Sequence, residues 1–211
     1  MPILNDDLNL SQEFIALGRQ NRSGRRITPK FITIHNTDNT DRGADAAAHS
    51  SFVRKTGFYL HNEKPRWVSW HFTVDDKQVI QQLPVYERAI HVNTAGNNTS
   101  LAIEICMHKD NDQNAADQRA ARLAAHLIRD HNLSIADLRT HNSWTGKNCP
   151  RLILPSWNEF VAMVSAELST DFDTFEGEFA TEDSVDIEAA DDKSDDIDHG
   201  AIAEAMRLDF D

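Results

Sequence analysis

Side chains that could bind a metal are concentrated between positions 140 and 150. His141 and Cys149 lie eight positions apart in a segment rich in Asn, Ser, Gly and Pro, a composition typical of a loop. An imidazole and a thiolate together suit zinc, because both are ligands that this ion prefers. Two ligands do not make a site, so a third must come from elsewhere in the chain.

His35 is the best candidate for that third ligand. It ends the β-branched run Phe31-Ile-Thr-Ile34 and is followed by Asn36-Thr37-Asp38, where the chain is expected to turn. The end of a sheet strand, where it opens into a loop, is a common place for a functional group. A set of two histidines and one cysteine would leave the fourth zinc position open, which is the catalytic arrangement. The competing interpretation, a surface histidine or a satisfied interior one, applies to most of the ten histidines in the chain.

Glu104 is the second unusual residue. Leu101, Ile103 and Ile105 share one face of the predicted strand 101–106, and Glu104 and Cys106 lie on the other. A carboxylate on so apolar a strand is costly unless it is paired, hydrogen-bonded or placed at a cleft, where it could take a proton from water. The alternative is an edge strand with Glu104 in solvent, and the spacing does not decide between the two.

The elements that must position these residues alternate between strands and helices. Beyond the strands at 31–34 and 101–106, the runs 70–74 and 79–81 flank Asp75-Asp-Lys77 and predict a hairpin. Helices are predicted over 44–55, 114–131 and 156–168, the last with Ser156 as N-cap and Glu159 at the capping-box position. The predicted fold is α/β, a small mixed sheet flanked by helices.

Charge is distributed very unevenly along the 211 residues. The chain carries 34 Asp/Glu against 21 Lys/Arg, and residues 170–211 alone hold 16 of the acids and two of the bases. Residues 1–169 therefore have a net charge of +1, and the tail has −14. The break in charge predicts an acidic, largely disordered tail over 170–211 that follows a folded part of the chain. Within the tail, the spacing of Ile202, Met206 and Phe210 allows a short helix over 201–210.

Composition also excludes several classes of protein. The net charge of −13 argues against a generally basic nucleic-acid-binding protein, and no stretch approaches the length of a membrane span. Two cysteines cannot form a disulfide framework. The first ten residues lack the basic and apolar regions of a signal peptide, so we expect synthesis in the cytoplasm without export by that route.

Four segments in order carry a family resemblance. They are Phe31-Ile-Thr-Ile-His-Asn-Thr37, Ser69-Trp-His-Phe-Thr-Val-Asp75, Leu101-Ala-Ile-Glu-Ile-Cys106 and His141-Asn-Ser-Trp-Thr-Gly-Lys-Asn-Cys-Pro150. Together they resemble the type-2 N-acetylmuramoyl-L-alanine amidases, a zinc family that includes peptidoglycan-recognition proteins, and most of all the phage and prophage endolysins. The resemblance covers roughly residues 28–168. It implies a catalytic domain over 28–169, preceded by an N-terminal extension over 1–27 that packs on the domain.

The resemblance implies a role for each matching residue. His35, His141 and Cys149 match the three zinc ligands, Glu104 the general base, and Lys147 the donor near the developing oxyanion. The residues that match the substrate-lining positions are Trp70, His71, His91, Asn36 and Thr37. His91 matches only in part, because its segment Ala89-Ile-His-Val-Asn93 lacks the Trp and Gly of the family pattern, and core packing is the alternative for Trp70 and His71.

The activity implied is zinc-dependent hydrolysis of the amide between N-acetylmuramic acid and L-alanine in peptidoglycan. The partner would be peptidoglycan or a muropeptide, with no nucleic acid, and we expect a monomer that acts on the cell wall after release by a holin or by lysis. Two alternatives stay open. One is a peptidoglycan-binding module without catalysis, and the other is a cytoplasmic amidase that recycles soluble muropeptides.

Overall fold

A six-stranded, mostly parallel sheet forms the centre of the computed structural model, which describes residues 8–179. Its strands lie in the order β1-β6-β5-β7-β2-β8, and only the β5–β6 pair is antiparallel. Strands β3 and β4 form a separate antiparallel hairpin. The bounds are β1 Leu10–Gln12, β2 Phe31–Asn36, β3 Phe58–His61, β4 Lys64–Trp67, β5 Phe72–Val74, β6 Val79–Gln81, β7 Ser100–Ile105 and β8 Leu138–Thr140.

Helices pack on both faces of this sheet. The helices are α1 Ala46–Lys55, α2 Thr94–Asn97, α3 Gln113–Asp130, α4 His141–Thr145 and α5 Trp157–Phe179. The apolar face of β7 packs with α3 and α5 in one cluster, to which Ile103, Ala120 and Phe160 belong. On the opposite face, Ala102 of β7 packs with Val53 of α1. The sheet is therefore a middle layer, which confirms the predicted α/β fold class.

The predicted elements are present, with shifts at their ends. The strands at 31–36 and 100–105, the β5–β6 hairpin and the helices α1 and α3 are confirmed to within two residues. Helix α5 is much longer than the predicted 156–168, and no proline interrupts the sequence between positions 157 and 179. Ser156 is not its N-cap, because this residue ends a 3-10 turn (Leu154–Ser156) that leads directly into α5.

The N-terminal segment contributes to the sheet and to the core. β1 pairs in parallel with β6, and Leu8 and Ile15 are fully buried. The buried Asn21 side chain donates to the carbonyls of Val53 and Val68, 2.8 and 3.0 Å away. This segment ties the C-terminal turn of α1 to the residues that follow β4.

Domain boundaries at 27/28 and 169/170 stay predictions. By internal contacts the chain divides into one compact unit, Met1–Phe175, and a second, Glu176–Asp211. The predicted short helix at 201–210 and most of the acidic tail lie outside the described residues. Among the helices that the structure describes, none is long and apolar enough to cross a membrane.

Candidate metal centre

Three neighbouring parallel strands bring the candidate ligands to one edge of the sheet. β2 lies between β7 and β8, and the register places His35 of β2 directly beside Glu104 of β7. β8 ends at Thr140, so His141 begins α4 at the same edge. Because β7, β2 and β8 are parallel, their carboxyl ends meet there, and residues separated by more than a hundred positions become neighbours.

The ligand atoms of His35, His141 and Cys149 converge on one point. The two Nδ1 atoms of His35 and His141 are 3.1 Å apart, and Cys149 Sγ lies 3.8 Å from His35 Nδ1. All three atoms lie within 4.8 Å of one another. The structure thus brings together the three residues that the sequence singled out, and we call this set the His₂Cys cluster.

Local capping interactions position His141 and Cys149. Thr140 accepts from the Ser143 amide at the start of α4, and Gly146 ends the helix in the left-handed region with φ of 78°. Asn142 then holds the following loop in two places: its amide N–H donates to the Cys149 carbonyl at 2.8 Å, and its side chain donates to the Lys147 carbonyl at 2.9 Å. The segment was predicted as a loop, but His141–Thr145 is a helical turn.

The spacing of the cluster fits zinc. For a tetrahedral ion with bonds of about 2.05 Å to nitrogen and about 2.3 Å to sulfur, two nitrogens lie about 3.3 Å apart and a nitrogen and a sulfur about 3.6 Å. The observed separations of 3.1 and 3.8 Å are close to these values. Two imidazoles and a thiol also form a donor set that favours zinc over magnesium or calcium.

Burial keeps all three side chains of the cluster uncharged. It lowers the pKa of His35 well below the usual range and the pKa of His141 to about 4, so both imidazoles are neutral. Lys147 and the other imidazoles act in the same direction on His35. Burial also raises the pKa of the Cys149 thiol to about 12. A thiolate at this position therefore needs a cation beside it.

Glu104 lies against the cluster on the central strand β7, which excludes the edge-strand alternative. Its Oε1 is 3.7 Å from His35 Nδ1, and this contact is not an ion pair because His35 is neutral. Among the described residues, Glu104 Oε2 is buried without a hydrogen-bond partner. Burial raises the pKa of Glu104 to about 8, while the charge of Lys147 opposes this rise. The carboxyl group is thus aimed into the site and is more basic than a surface glutamate.

A cleft of about 840 Å³ opens above the cluster. The exposed Lys147 lines it, together with Trp70 and Thr37. The Oγ1 atom of Thr37 is buried and has no hydrogen-bond partner in the described part of the chain. Asn36 lines the cleft too, but its side chain is engaged: Oδ1 accepts from the Leu152 amide at 2.9 Å and Nδ2 donates to the Ile105 carbonyl. Asn36 therefore holds the loop that carries Cys149.

The two remaining predicted histidines differ in position. His91 lines the cleft, and its Nδ1 is 2.9 Å from His35 Nε2. His71 does not reach the cleft: it is completely buried, with Nε2 donating to the Glu87 carbonyl at 2.8 Å and Nδ1 accepting from the Ala102 amide at 3.0 Å. For His71 the structure shows the alternative of a satisfied interior residue.

Sequence reasoning missed one wall of the cleft. Tyr59, Arg66 and Trp67 of the β3–β4 hairpin line it, together with Phe52 of α1. The hairpin turn at Asn62-Glu63 has positive φ angles of 49° and 62°. The sequence lacks the Asn-Gly or Asp-Gly pair typical of such turns, so the hairpin was not predicted from the sequence.

Comparison with known proteins identifies relatives of this chain. The family model described as N-acetylmuramoyl-L-alanine amidase matches residues 24–152, more than half of the chain. This chain belongs to that family. The amidase XlyA of Bacillus subtilis is 41% identical over 177 residues, covering 82% of this chain and 57% of XlyA. The amidase CwlH of the same organism is 37% identical, covering 75% of this chain and 62% of CwlH.

Solved structures of family members give the same fold. The catalytic domain of XlyA matches with a TM-score of 0.69 and 41% identity, covering 74% of this chain and 99% of that domain. PlyL matches with a TM-score of 0.63 and 28% identity, covering 74% of this chain and 96% of PlyL. The chain thus spans nearly all of these two solved chains but only about three-fifths of the full-length relatives XlyA and CwlH.

Proposed function

We propose that this protein is a zinc-dependent N-acetylmuramoyl-L-alanine amidase, which hydrolyses the amide between N-acetylmuramic acid and L-alanine in peptidoglycan. The observation that carries the proposal is the convergence of the His₂Cys cluster with Glu104 at the floor of one cleft. The names of XlyA and CwlH support the choice of bond.

The proposed zinc ligands are His35, His141 and Cys149. A zinc ion held by these residues would supply Lewis-acid chemistry, which polarises an amide carbonyl and lowers the pKa of water toward about 7. Glu104 accepts the proton of the attacking water, since burial raises its pKa and its Oε2 has no hydrogen-bond partner among the described residues. The same group, once protonated, donates to the amine of L-alanine as it leaves.

Lys147 supplies the positive charge at the mouth of the site. It lines the same cleft as Glu104, His35 and His141, and its charge lowers the pKa values of all three. We propose that it donates to the oxyanion that forms on the amide carbonyl; the loss of one such donor typically lowers the rate roughly 10²–10³-fold. Trp70, Thr37 and His91 would contact the substrate from the walls of the cleft.

The activity can be tested on purified cell walls. We expect the full chain with zinc to release new L-alanine amino termini from sacculi without new reducing sugar. Cys149→Ala and His35→Ala should lose bound zinc and lysis together, whereas Cys106→Ala should keep both, because Cys106 is the other buried cysteine and lies outside the cluster. Full activity of Cys149→Ala, or a wild-type protein without zinc, would contradict the proposal.

The substrate that the enzyme hydrolyses faster, intact wall or soluble muropeptide, indicates where it acts. We propose that the enzyme attacks the intact wall after its release from the cytoplasm, in keeping with the endolysin-like relatives. Sacculi and soluble muropeptides should be compared at equal amide concentration, and we expect faster hydrolysis of sacculi. Faster hydrolysis of soluble muropeptides would favour a recycling enzyme, and binding without hydrolysis would favour a recognition module.

A further inference from the structure

The ring of His35 is held from both sides. Its Nδ1 faces the cluster, and its Nε2 lies 2.9 Å from His91 Nδ1. His35 is 2% exposed, so water has little access to either nitrogen. An imidazole can bind a metal only through a nitrogen that carries no proton, so the tautomer of His35 decides whether Nδ1 is a ligand.

Hydrogen bonds behind His91 determine that tautomer. The carbonyl of Gly96 can only accept, so the hydroxyl of Ser100, 2.9 Å away, donates to it. Because the single hydroxyl proton of Ser100 is used in this bond, Oγ can only accept further hydrogen bonds, and it accepts one from the Thr33 hydroxyl at 3.0 Å. Its remaining neighbour is His91 Nε2 at 3.4 Å, which must be the protonated nitrogen of His91 for this longer contact to be favourable.

The protonation of His91 in turn sets the direction of its hydrogen bond to His35. With its proton on Nε2, neutral His91 presents a bare Nδ1, which accepts from His35 Nε2. His35 then has its proton on Nε2 and a free lone pair on Nδ1, the atom that faces His141 and Cys149. The chain from His35 through His91 and Ser100 to the Gly96 carbonyl thus has one consistent direction.

The backbone of His91 is fixed independently. Asn97 is buried, and its Oδ1 accepts from the amides of both His91 and Val92, at 2.9 and 2.8 Å. The fold therefore fixes the backbone from which the His91 side chain reaches His35.

We propose that His91 is a positioning residue for the metal centre, which accepts the Nε2 proton of His35 and so holds Nδ1 of His35 ready to bind zinc. This inference rests on the proposed zinc site and deepens it. His91 acts through His35, so its effect appears in metal binding before any substrate is present. Its acceptor is a neutral imidazole, whereas the partner of a metal-bound histidine is more often a carboxylate, a backbone carbonyl or water.

Zinc affinity of the full-length chain, measured by competition with a chromophoric chelator, tests the proposal. We expect His91→Ala to weaken zinc binding roughly 10–100-fold, the usual effect of removing such a partner. His91→Asn should recover most of the affinity, because the amide oxygen of asparagine takes the place of Nδ1. The matched control is His49→Ala: His49 also lines the cleft, but its Nδ1 donates to the Asp45 carbonyl at 2.9 Å, and we expect unchanged affinity.

The outcomes separate this proposal from the proposed function. Wild-type affinity in His91→Ala, equal losses in His91→Ala and His91→Asn, or an equal loss in His49→Ala would each overturn the role of His91 while leaving the zinc site in place. If the wild-type chain bound no zinc at all, the proposed function would fail instead.

A second measurement needs neither zinc nor a folded variant. Long-range proton–nitrogen correlation spectra of the zinc-free, wild-type chain report the tautomer of each imidazole. We expect both His35 and His91 to carry their proton on Nε2. A proton on Nδ1 of His35 would overturn the proposal whatever the variants show.

Discussion

At the residue scale, the site consists of groups that burial keeps neutral. His35, His141, Cys149 and Glu104 all have pKa values shifted toward the uncharged form, with desolvation as the largest cause. A divalent cation at this point would displace the thiol proton of Cys149 and favour the ionised form of Glu104, so that little uncompensated charge would remain.

Replacement of Glu104 by glutamine separates proton transfer from metal binding. Glu104→Gln keeps the shape of the side chain but cannot accept a proton, so we expect kcat on sacculi to fall roughly 10²–10⁴-fold. Zinc content should stay unchanged, since Glu104 is not one of the three ligands. Glu159→Gln, an exposed glutamate at the start of α5, is the control and should behave like wild type. A variant that loses zinc as well would show a structural role for Glu104 instead.

The sequence predicted which residues meet at the site better than it predicted the residues around them. His35 and Glu104 stood out because each is polar on an apolar strand, and parallel pairing then made them neighbours. His71 is also polar on an apolar predicted strand, but it lies in the interior and not at the cleft. Two backbone groups provide its hydrogen bonds there, and the sequence does not show which of the two environments a histidine has. Ser100 and Asn97 gave no signal either, because their roles depend on groups that come close only in three dimensions.

At the element scale, the N-terminal segment is the part of the fold that the hydrophobic pattern of the sequence predicted least well. β1 has three residues and no clear alternation, and β8 is equally short. β8 takes its place by pairing with the six-residue β2, and β1 by pairing with β6, which also has three residues. A buried ion pair then joins the segment to the loop after β6, with Arg22 donating to both carboxylate oxygens of Glu87 at 2.8 and 2.7 Å.

Loss of that ion pair should destabilise the whole domain. Arg22→Ala leaves Glu87 buried without its cation, and such changes cost about 3–5 kcal/mol in the free energy of unfolding. Arg54→Ala is the matched control, because the Arg54–Glu13 pair is 40% and 38% exposed and should contribute less than about 1 kcal/mol. Urea denaturation of both variants measures the difference. Equal, small losses would indicate that the N-terminal segment is peripheral to the fold.

The bridge that His71 makes between β7 and Glu87 predicts a pH dependence of stability. Burial lowers the pKa of His71 to about 4, so the folded state holds the neutral ring. Above pH 6.5 this stabilisation is fully present. As the pH falls from 6.5 toward 4, the unfolded chain takes up a proton that the folded chain does not, and the free energy of unfolding falls by roughly 3 kcal/mol in total.

A variant without a titratable ring isolates this contribution. His71→Gln should be less stable than wild type at pH 7, yet its stability should fall less steeply between pH 6.5 and 4. The expected difference in slope approaches the contribution of one proton, about 1.4 kcal/mol per pH unit. Urea denaturation across that range measures it, and identical slopes would show that His71 does not titrate as described.

At the scale of the whole molecule, charge and chemistry lie in different parts of the sequence. Residues 180–211 hold 12 Asp/Glu and two Lys/Arg, a net charge of −10, whereas residues 1–179 carry only −3 of the total of −13. Every residue of the proposed site belongs to the nearly neutral part. The strong negative charge is therefore no guide to the chemistry of the site, but it does bear on how the molecule approaches a charged surface.

Removal of residues 180–211 should increase binding to anionic cell walls at low ionic strength. A net charge of −10 repels an anionic polymer over about one Debye length, which is about 30 Å at 0.01 M salt and about 3 Å at 1 M. Truncation after Phe179 keeps α5 intact, so we expect more protein to co-sediment with sacculi at 0.01 M and no difference at 1 M. A full-length variant with the tail acids changed to Asn and Gln should match the truncation. If it instead binds like wild type, the effect comes from the length of the tail and not from its charge.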